Sequence, residues 1–377
     1  MTTSLAPAPQ SAPKPSQPGF SLQNVLKVAI PLGLVVVAVF SGVYLQAQRA
    51  IEPVDFLASV SQALRAPTKL ATGLSDSNGD LVADAPAAAD QLLDPETLEF
   101  EVLGSDLSLE QQQWADFVAH LEKATGKKVN LSIRPETKGV SPGDALPPVV
   151  VQASDLRAGK IHLACLNTGA VSLAVNEGGA VPFCVMADAE GKFGYQMELI
   201  VPAKSAAQQV PDLKGSEKIL FTNTYSHSGC KAPLMILWKE FNLRPERDYT
   251  PVFVNKQEQA IKDIAAGRGD AAPVASDLYQ RVMSRGDLPK DSVRSIYQSA
   301  TFPPACFAHA HQLQPELAAK IKAAFLEFPW AGTSLEKAYT AANQSRFVPA
   351  SYQTDWSGVR EAEEALVSML PTKPAAP

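Results

Sequence analysis

The stretch Lys218-Ile219-Leu220-Phe221-Thr222-Asn223-Thr224-Tyr225-Ser226-His227-Ser228-Gly229 decides how the chain is read. Lys218 to Phe221 is a short apolar strand candidate. Past Gly229, Leu234, Leu237, Trp238 and Phe241 fall at i, i+3, i+4 and i+7, the period of an amphipathic helix. A strand, a turn of hydroxyls and glycine, then a helix start is a recurring way to hold an anion. The first helical turn has free N–H groups, and the macrodipole adds about half a positive charge there. Ser226 and Ser228 supply hydroxyl donors, and Gly229 lets the backbone come close. In isolation the same residues are more often simply an N-cap.

The flanking sequence repeats the pattern. Upstream, strands are expected at Phe100–Leu103, Val129–Ile133, Ile161–Leu166, Val181–Met186 and Gln196–Val201. Between them, Ser108 with Gln111 forms a capping box. The helix it opens carries Trp114, Phe117, Val118 and Leu121 on one face, and Gly126 ends it. Downstream, strands are expected at Pro251–Val254, Ala271–Val274, Val293–Tyr297 and Cys306–Ala310, separated by helices over Gln257–Ala266 and Ser276–Arg285. Helices over Pro315–Phe328 and Asp355–Leu370 close the chain. The alternation predicts an α/β fold with a largely parallel sheet. It has too many units for one small sheet, so two lobes with a cleft between them are expected. Open α/β sheets bind ligands at the carboxyl ends of their strands, where the opening stretch lies.

The N-terminal quarter is different. Residues 1–24 are rich in Pro, Ala, Ser and Gln and read as a disordered tail, as do residues 371–377. Val28 to Leu45 is almost purely apolar. As a helix it would be roughly 27 Å long, close to a bilayer core. Residues 25–47 are therefore expected to form an N-terminal transmembrane anchor, with a cleaved signal peptide as the competitor. Either puts the rest of the chain outside the cytoplasm. Residues 48–97 read as a tether with little that could build a core.

Composition sets further bounds. A formal net charge of -6 makes nucleic acid a poor partner. The four cysteines, Cys165, Cys184, Cys230 and Cys306, include no CxxC pair and read as buried free thiols or, outside the cytoplasm, as disulfide candidates. No metal site is expected: in a strand His309 and His311 share one face while Cys306 points to the other. No G-x-S-x-G elbow, H-E-x-x-H, P-loop or strand-borne G-x-G-x-x-G is present, so no catalytic residue and no cofactor are assigned. Lys231 and the acids Glu361, Glu363 and Glu364 read as solvated.

Several segments together resemble the phosphate/phosphite/phosphonate periplasmic binding proteins, the solute-binding components of phosphonate-type ABC transporters. Asp155 to Ala164 is similar to the family's "L-x-x-G-x-I/V-D-x-A" segment, and Asp212-Leu213-Lys214-Gly215 to its "D-L-K-G" lead-in. Phe221 to Gly229 resembles its "F-x-D-P-x-S-T-S-G" anion loop. Asp270 to Val274 is similar to its "V-D-A-x-x-V" strand, and Phe347 to Ala350 to its "G-F-x-P" segment. The resemblance spans about Leu98 to Leu370. It implies a type II-like periplasmic-binding-protein fold, with lobe 1 over 98–201 plus 299–370 and lobe 2 over 202–298, closing on a ligand.

It also implies a ligand site at Ser226, His227, Ser228 and Gly229, with Tyr225, Tyr195, Gln257 and Asp277 around it. The departures from the family pattern are His227 for the Thr between the serines, Gln257 for a pocket histidine, and Ala275 for an acid or amide, with Asp277 close by. The implied function is capture of a small phosphorus oxyanion for an ABC permease, without bond making. A membrane-tethered sensory or scaffold module, or a phosphoester hydrolase built on His227, are the alternatives.

Overall fold

The structure is a computed structural model that describes residues 55–64, 68–104, 106–134, 146–254, 256–286, 288–289 and 291–370. The expected tails (1–24 and 371–377) and the expected anchor (25–47) lie outside the described residues. Among the described residues no helix is long and apolar enough to cross a membrane.

Two sheets organise these residues. The first has six strands in the order β11-β4-β10-β3-β1-β2, from β1 (Thr97–Leu103), β2 (Lys128–Arg134), β3 (Leu163–Leu166), β4 (Ala180–Ala187), β10 (Cys306–Ala310) and β11 (Arg346–Pro349). In the second, β5 (Tyr195–Pro202) lies between β8 (Ala272–Ala275) and β9 (Val293–Phe302). The parallel pair β6 (Ile219–Phe221) and β7 (Pro251–Phe253) joins it through the Ile219–Ala271 bridge and the Leu220 N–H to Ala271 carbonyl bond of 2.8 Å.

The expectation of a largely parallel sheet does not hold. β10 is antiparallel to both β3 and β4, β11 is antiparallel to β4, and β5 is antiparallel to β8 and β9. The cause is the double crossing of the chain between sheets, from β4 to β5 and back from β9 to β10. On its return from the second sheet β10 enters the first between β3 and β4, running against both. The same pairing moves the Gln196–Val201 strand, expected in lobe 1, to the middle of the second sheet.

The first sheet is held by an aromatic core. Helix α2 (Leu107–Thr125) buries Trp114, Phe117 and Leu121 against Phe100, Phe307, Phe325 and Phe347, with Phe117 and Phe325 rings 4.5 Å apart. Its N-cap is Asp106, whose carboxylate accepts from the Ser108 and Leu109 N–H groups, and not the expected Ser108 box. Gly126 caps the other end at φ +72°, where a Cβ would be strained.

The expected tether is part of the fold from Asp55 onward. Helix α1 (Phe56–Ala63) puts Phe56, Val60 and Leu64 at i, i+4 and i+8 into the second core. Phe56 packs 4.9 Å from the Phe221 ring and stacks 4.6 Å from Phe253. Ala63 meets Val149, Ala153, Ala170 and Leu173 of the first unit. Leu70 and Val82 then pack on that unit's core, and Leu93 bridges to Leu313.

Candidate functional site

Three neighbouring strand ends meet at the opening stretch. β6 ends at Phe221 and runs into the Ser226 turn. β7 runs into Gln257, the first residue of α6 (Gln257–Ala265). β8 ends at Ala275, the N-cap of α7 (Ser276–Ser284). The helix after the loop begins earlier than expected, at His227, and its first turn is π-wound through Lys231 before α5 (Ala232–Met235). Ser226 is its N-cap. Its hydroxyl oxygen accepts from the Gly229 N–H at 3.1 Å, and its carbonyl accepts from the Lys231 N–H at 3.1 Å. A π-turn is uncommon and concentrates at functional sites.

Glycine at 229 is required by space. A Cβ there would lie 1.9 Å from Thr222 Oγ1, because the strand end folds back on the helix start. The Thr222 N–H donates to the Gly229 carbonyl at 2.9 Å, fixing that approach.

Gln257 organises the two serines. Its Nε2 donates to Ser226 Oγ at 3.3 Å and to Ser228 Oγ at 3.1 Å. Its Oε1 accepts the Ala275 N–H at 2.7 Å, which sets which end of the amide faces the serines. The Tyr195 phenol stands beside the Ser228 and Thr168 hydroxyls. Burial pushes its pKa up, the two hydroxyls oppose that, and the Asp277 carboxylate adds to it. Asp277 itself is half-exposed and lies 3.5 Å from Arg281 on its own helix. Ser226, Ser228, Gln257 and Tyr195 are thus brought together, with Asp277 at the edge.

His227 and Tyr225 stand apart from that group. The His227 ring is buried and packs edge-on to Phe302 at 4.3 Å, and among the described residues neither ring nitrogen has a hydrogen-bond partner. Burial, reinforced by the Lys231 charge, pushes its pKa down to about 3. The imidazole is therefore neutral near pH 7. Tyr225 is buried against Ala170 and Leu173, with Lys231 Nζ 5.9 Å from its ring centroid.

Three residues read as solvated or passed over in the sequence matter here. Lys231 is buried; its Nζ donates to Glu363 at 2.5 Å and to the Gly169 carbonyl at 2.7 Å. Glu363 is buried on α11 (Ser357–Met369). Gly169 packs against the loop so tightly that a Cβ would lie 2.2 Å from the Tyr225 carbonyl and 2.6 Å from the His227 nitrogen. The segment after β3 thus rests on the loop after β6. Sequence pattern offers little warning of this, because the partners are 62 and 132 positions from Lys231.

With this geometry in view, the arrangement is an α/β fold with a turn of hydroxyl side chains at the carboxyl ends of adjacent strands. The solved structures with this fold include a binding protein component of an ABC phosphonate transporter from Pseudomonas aeruginosa. It is 17% identical, with a TM-score of 0.58 covering 75% of this chain and 91% of that one. PhnD1 from Prochlorococcus marinus, solved in complex with methylphosphonate, is 12% identical, with a TM-score of 0.57 covering 72% and 99%. At those identities the likeness establishes the fold. Among curated proteins, the phosphate-import protein PhnD of Mycolicibacterium smegmatis is 26% identical over 245 residues, 62% of this chain and 72% of that one. Residues 106–356 match the family model for the ABC transporter phosphonate periplasmic substrate-binding protein. The chain belongs to that family, which is one of extracytoplasmic binding proteins and not of enzymes.

Proposed function

We propose that this chain captures a small phosphorus oxyanion (phosphate, phosphite or a phosphonate) in the Ser226–Gly229 loop and delivers it to an ABC permease. The observation that carries the reading is the loop itself: a helix start at a strand end, with Ser226 and Ser228 held by one amide, in a member of the phosphonate-binding family. The lobes follow the two sheets, and the chain crosses between them after β4 and after β9. Opening and closing about these crossings admits and retains the ligand. Ser226, Ser228, Gly229 and Gln257 hold the anion, and Tyr195 and Asp277 border it. His227 contributes its backbone N–H and a buried, neutral ring. Tyr225 supports the loop from behind.

Residues 25–47 anchor the protein in the membrane, with the binding domain facing the periplasm or cell exterior. The mechanism is capture and closure, with no bond made or broken. Calorimetric titration of the full chain in detergent with phosphate, phosphite, methylphosphonate and sulfate tests the reading. Heat and thermal stabilisation with a phosphorus oxyanion, both lost when Ser226 and Ser228 are replaced by Ala without change in the circular dichroism spectrum, support it. No binding of any of the four, or unchanged affinity in the double variant, overturns it.

A further inference from the structure

The chain before β1 attaches to both sheets. Helix α1 sits in the second core. Phe56 packs on Phe221 and Phe253, the last residues of β6 and β7, and Val60 and Leu64 follow it at helical spacing. Asp55 fixes the start of the helix, its carboxylate accepting the Ala58 N–H at 2.9 Å. From Leu70 onward the chain is held by the first sheet instead. Leu70 and Val82 pack on the cluster that contains Leu166, Val175 and Trp356. The Ala71 N–H donates to the Asn176 carbonyl at 2.8 Å, and Arg157 Nη2 donates to the Thr72 carbonyl at 3.1 Å. Leu93 is bonded through its backbone to Gln312 and Gln314 at 2.7 and 2.9 Å.

The step between these attachments is short. From Leu64 to Leu70 a fully extended chain reaches roughly 20 Å. At the step, Ala63 packs with Val149 and Ala153 of α3 (Pro148–Arg157), with Ala170 and Leu173 beyond β3, and with Tyr225 in the loop after β6. The two crossings between the sheets run side by side, with Tyr195 at the start of β5 paired to Phe302 at the end of β9. The step from α1 is a third covalent connection, and α1 is seated on β6 and β7 rather than on that pair.

We propose, building on the capture-and-closure reading above, that residues 55–72 are a strap across the cleft. Helix α1 rides with the second sheet, Ala71 and Thr72 ride with the first, and the short step between them limits opening and favours the closed arrangement. A third connection of fixed reach excludes the widest arrangements that a hinge of two strands allows. Excluding them raises the closed fraction, and apparent affinity rises by the same factor. Release slows as well, because a bound oxyanion leaves through the opened form.

The test lengthens the strap in the full chain. A flexible insert of about ten Gly and Ser residues between Ala66 and Pro67 alters neither α1 nor the Ala71 bond, and a longer link costs little in loop entropy. Spin labels at Lys123→Cys on α2 and Lys239→Cys beyond α5, both exposed, report the separation of the sheets, while the four native cysteines are buried. The insert is expected to lengthen and broaden the label distance in the ligand-free protein. Phosphate affinity by calorimetry falls on the order of tenfold, with faster dissociation, and the urea midpoint stays with the parent's. Ala71→Pro combined with Arg157→Met frees the first-sheet end with no insertion, and shifts the labels and the affinity the same way where the insert itself impairs folding.

Label distances and phosphate affinity equal to the parent's in both variants overturn the strap and leave oxyanion capture standing. A parent that binds no oxyanion overturns capture, and the label distances then decide the strap by themselves: unchanged distances sink it.

Discussion

Lys231 Nζ, in the first turn of the helix that follows β6, donates to the Gly169 carbonyl beyond the end of β3 at 2.7 Å. The same ammonium is paired with Glu363 at 2.5 Å, with side chains 4% and 12% exposed. One buried charge thus joins the loop, the first unit and the C-terminal helix. Breaking a buried pair from one side leaves the other charge uncompensated, which costs about 3–5 kcal/mol. Lys231→Met is expected to lower the urea midpoint accordingly. Adding Glu363→Gln to it is expected to recover most of the loss, since the orphaned carboxylate is then removed. A single variant as stable as the parent refutes this account of the junction.

Gly169 lets the two units meet over the loop. A Cβ at this position would lie 2.2 Å from the Tyr225 carbonyl, a distance no real Cβ keeps. The obstacle is backbone, so the units must part to accommodate it. Gly169→Ala is therefore expected to keep the fold of each unit and hold them apart. Small-angle scattering should give a larger radius of gyration, and oxyanion affinity should fall on the order of tenfold, about 1.4 kcal/mol. A variant with unchanged dimensions and affinity would show that the contact has no bearing on closure.

His227 gives a prediction with a definite sign. Its pKa is about 3 in the folded chain against an ordinary 6.5, the first cause being burial. The unfolded chain takes up the proton near pH 6.5 and the folded chain does not. The stability associated with the neutral ring is complete above pH 6.5 and is lost as pH falls toward 3, by up to about 1.4 kcal/mol per pH unit. His309, pushed down to about 4 by burial, adds to the same acid sensitivity. Urea midpoints measured from about pH 4 to about pH 8 should fall less steeply in His227→Phe than in the parent, by close to one proton's worth. Parallel curves would mean that the ring is hydrated in solution.

How far the sequence revealed this depended on the range of the interactions. The i, i+3, i+4, i+7 stripe of Leu234, Leu237, Trp238 and Phe241 and the strand over Ile219–Phe221 are local patterns, and both are present. The start of the helix at the serine turn was legible because its capping contacts are also local. The strand directions were not, since β10 owes its antiparallel course to where the chain comes from and not to its own residues. Lys231 looked like an ordinary lysine in a first helical turn, because its partners Gly169 and Glu363 come from distant segments. His227 was correctly placed in the loop, but the side its ring faces is set by Phe302, 75 residues on.

The segment before the first strand gives the last prediction. Residues 48–97 were expected to be a tether, yet Phe56 packs its ring 4.6 Å from Phe253 and 4.9 Å from Phe221, the residue that ends the strand leading into the Ser226 turn. Phe56 is 2% exposed and Val60 is fully buried, so α1 completes the second core. Removing such a ring leaves a cavity as well as losing its transfer free energy, about 3–5 kcal/mol for a buried Phe→Ala. Phe56→Ala should therefore lower the midpoint of global unfolding by that amount, whereas Ser59→Ala, a change on the outer half of the same helix, should leave it within about 0.5 kcal/mol. Because Phe221 leads directly into Ser226, the loss at Phe56 should also loosen the loop. Amide exchange at Thr222–Gly229 is expected to quicken in Phe56→Ala and not in Ser59→Ala. If both variants unfold and exchange as the parent does, α1 is a passive attachment and the binding domain is complete without it.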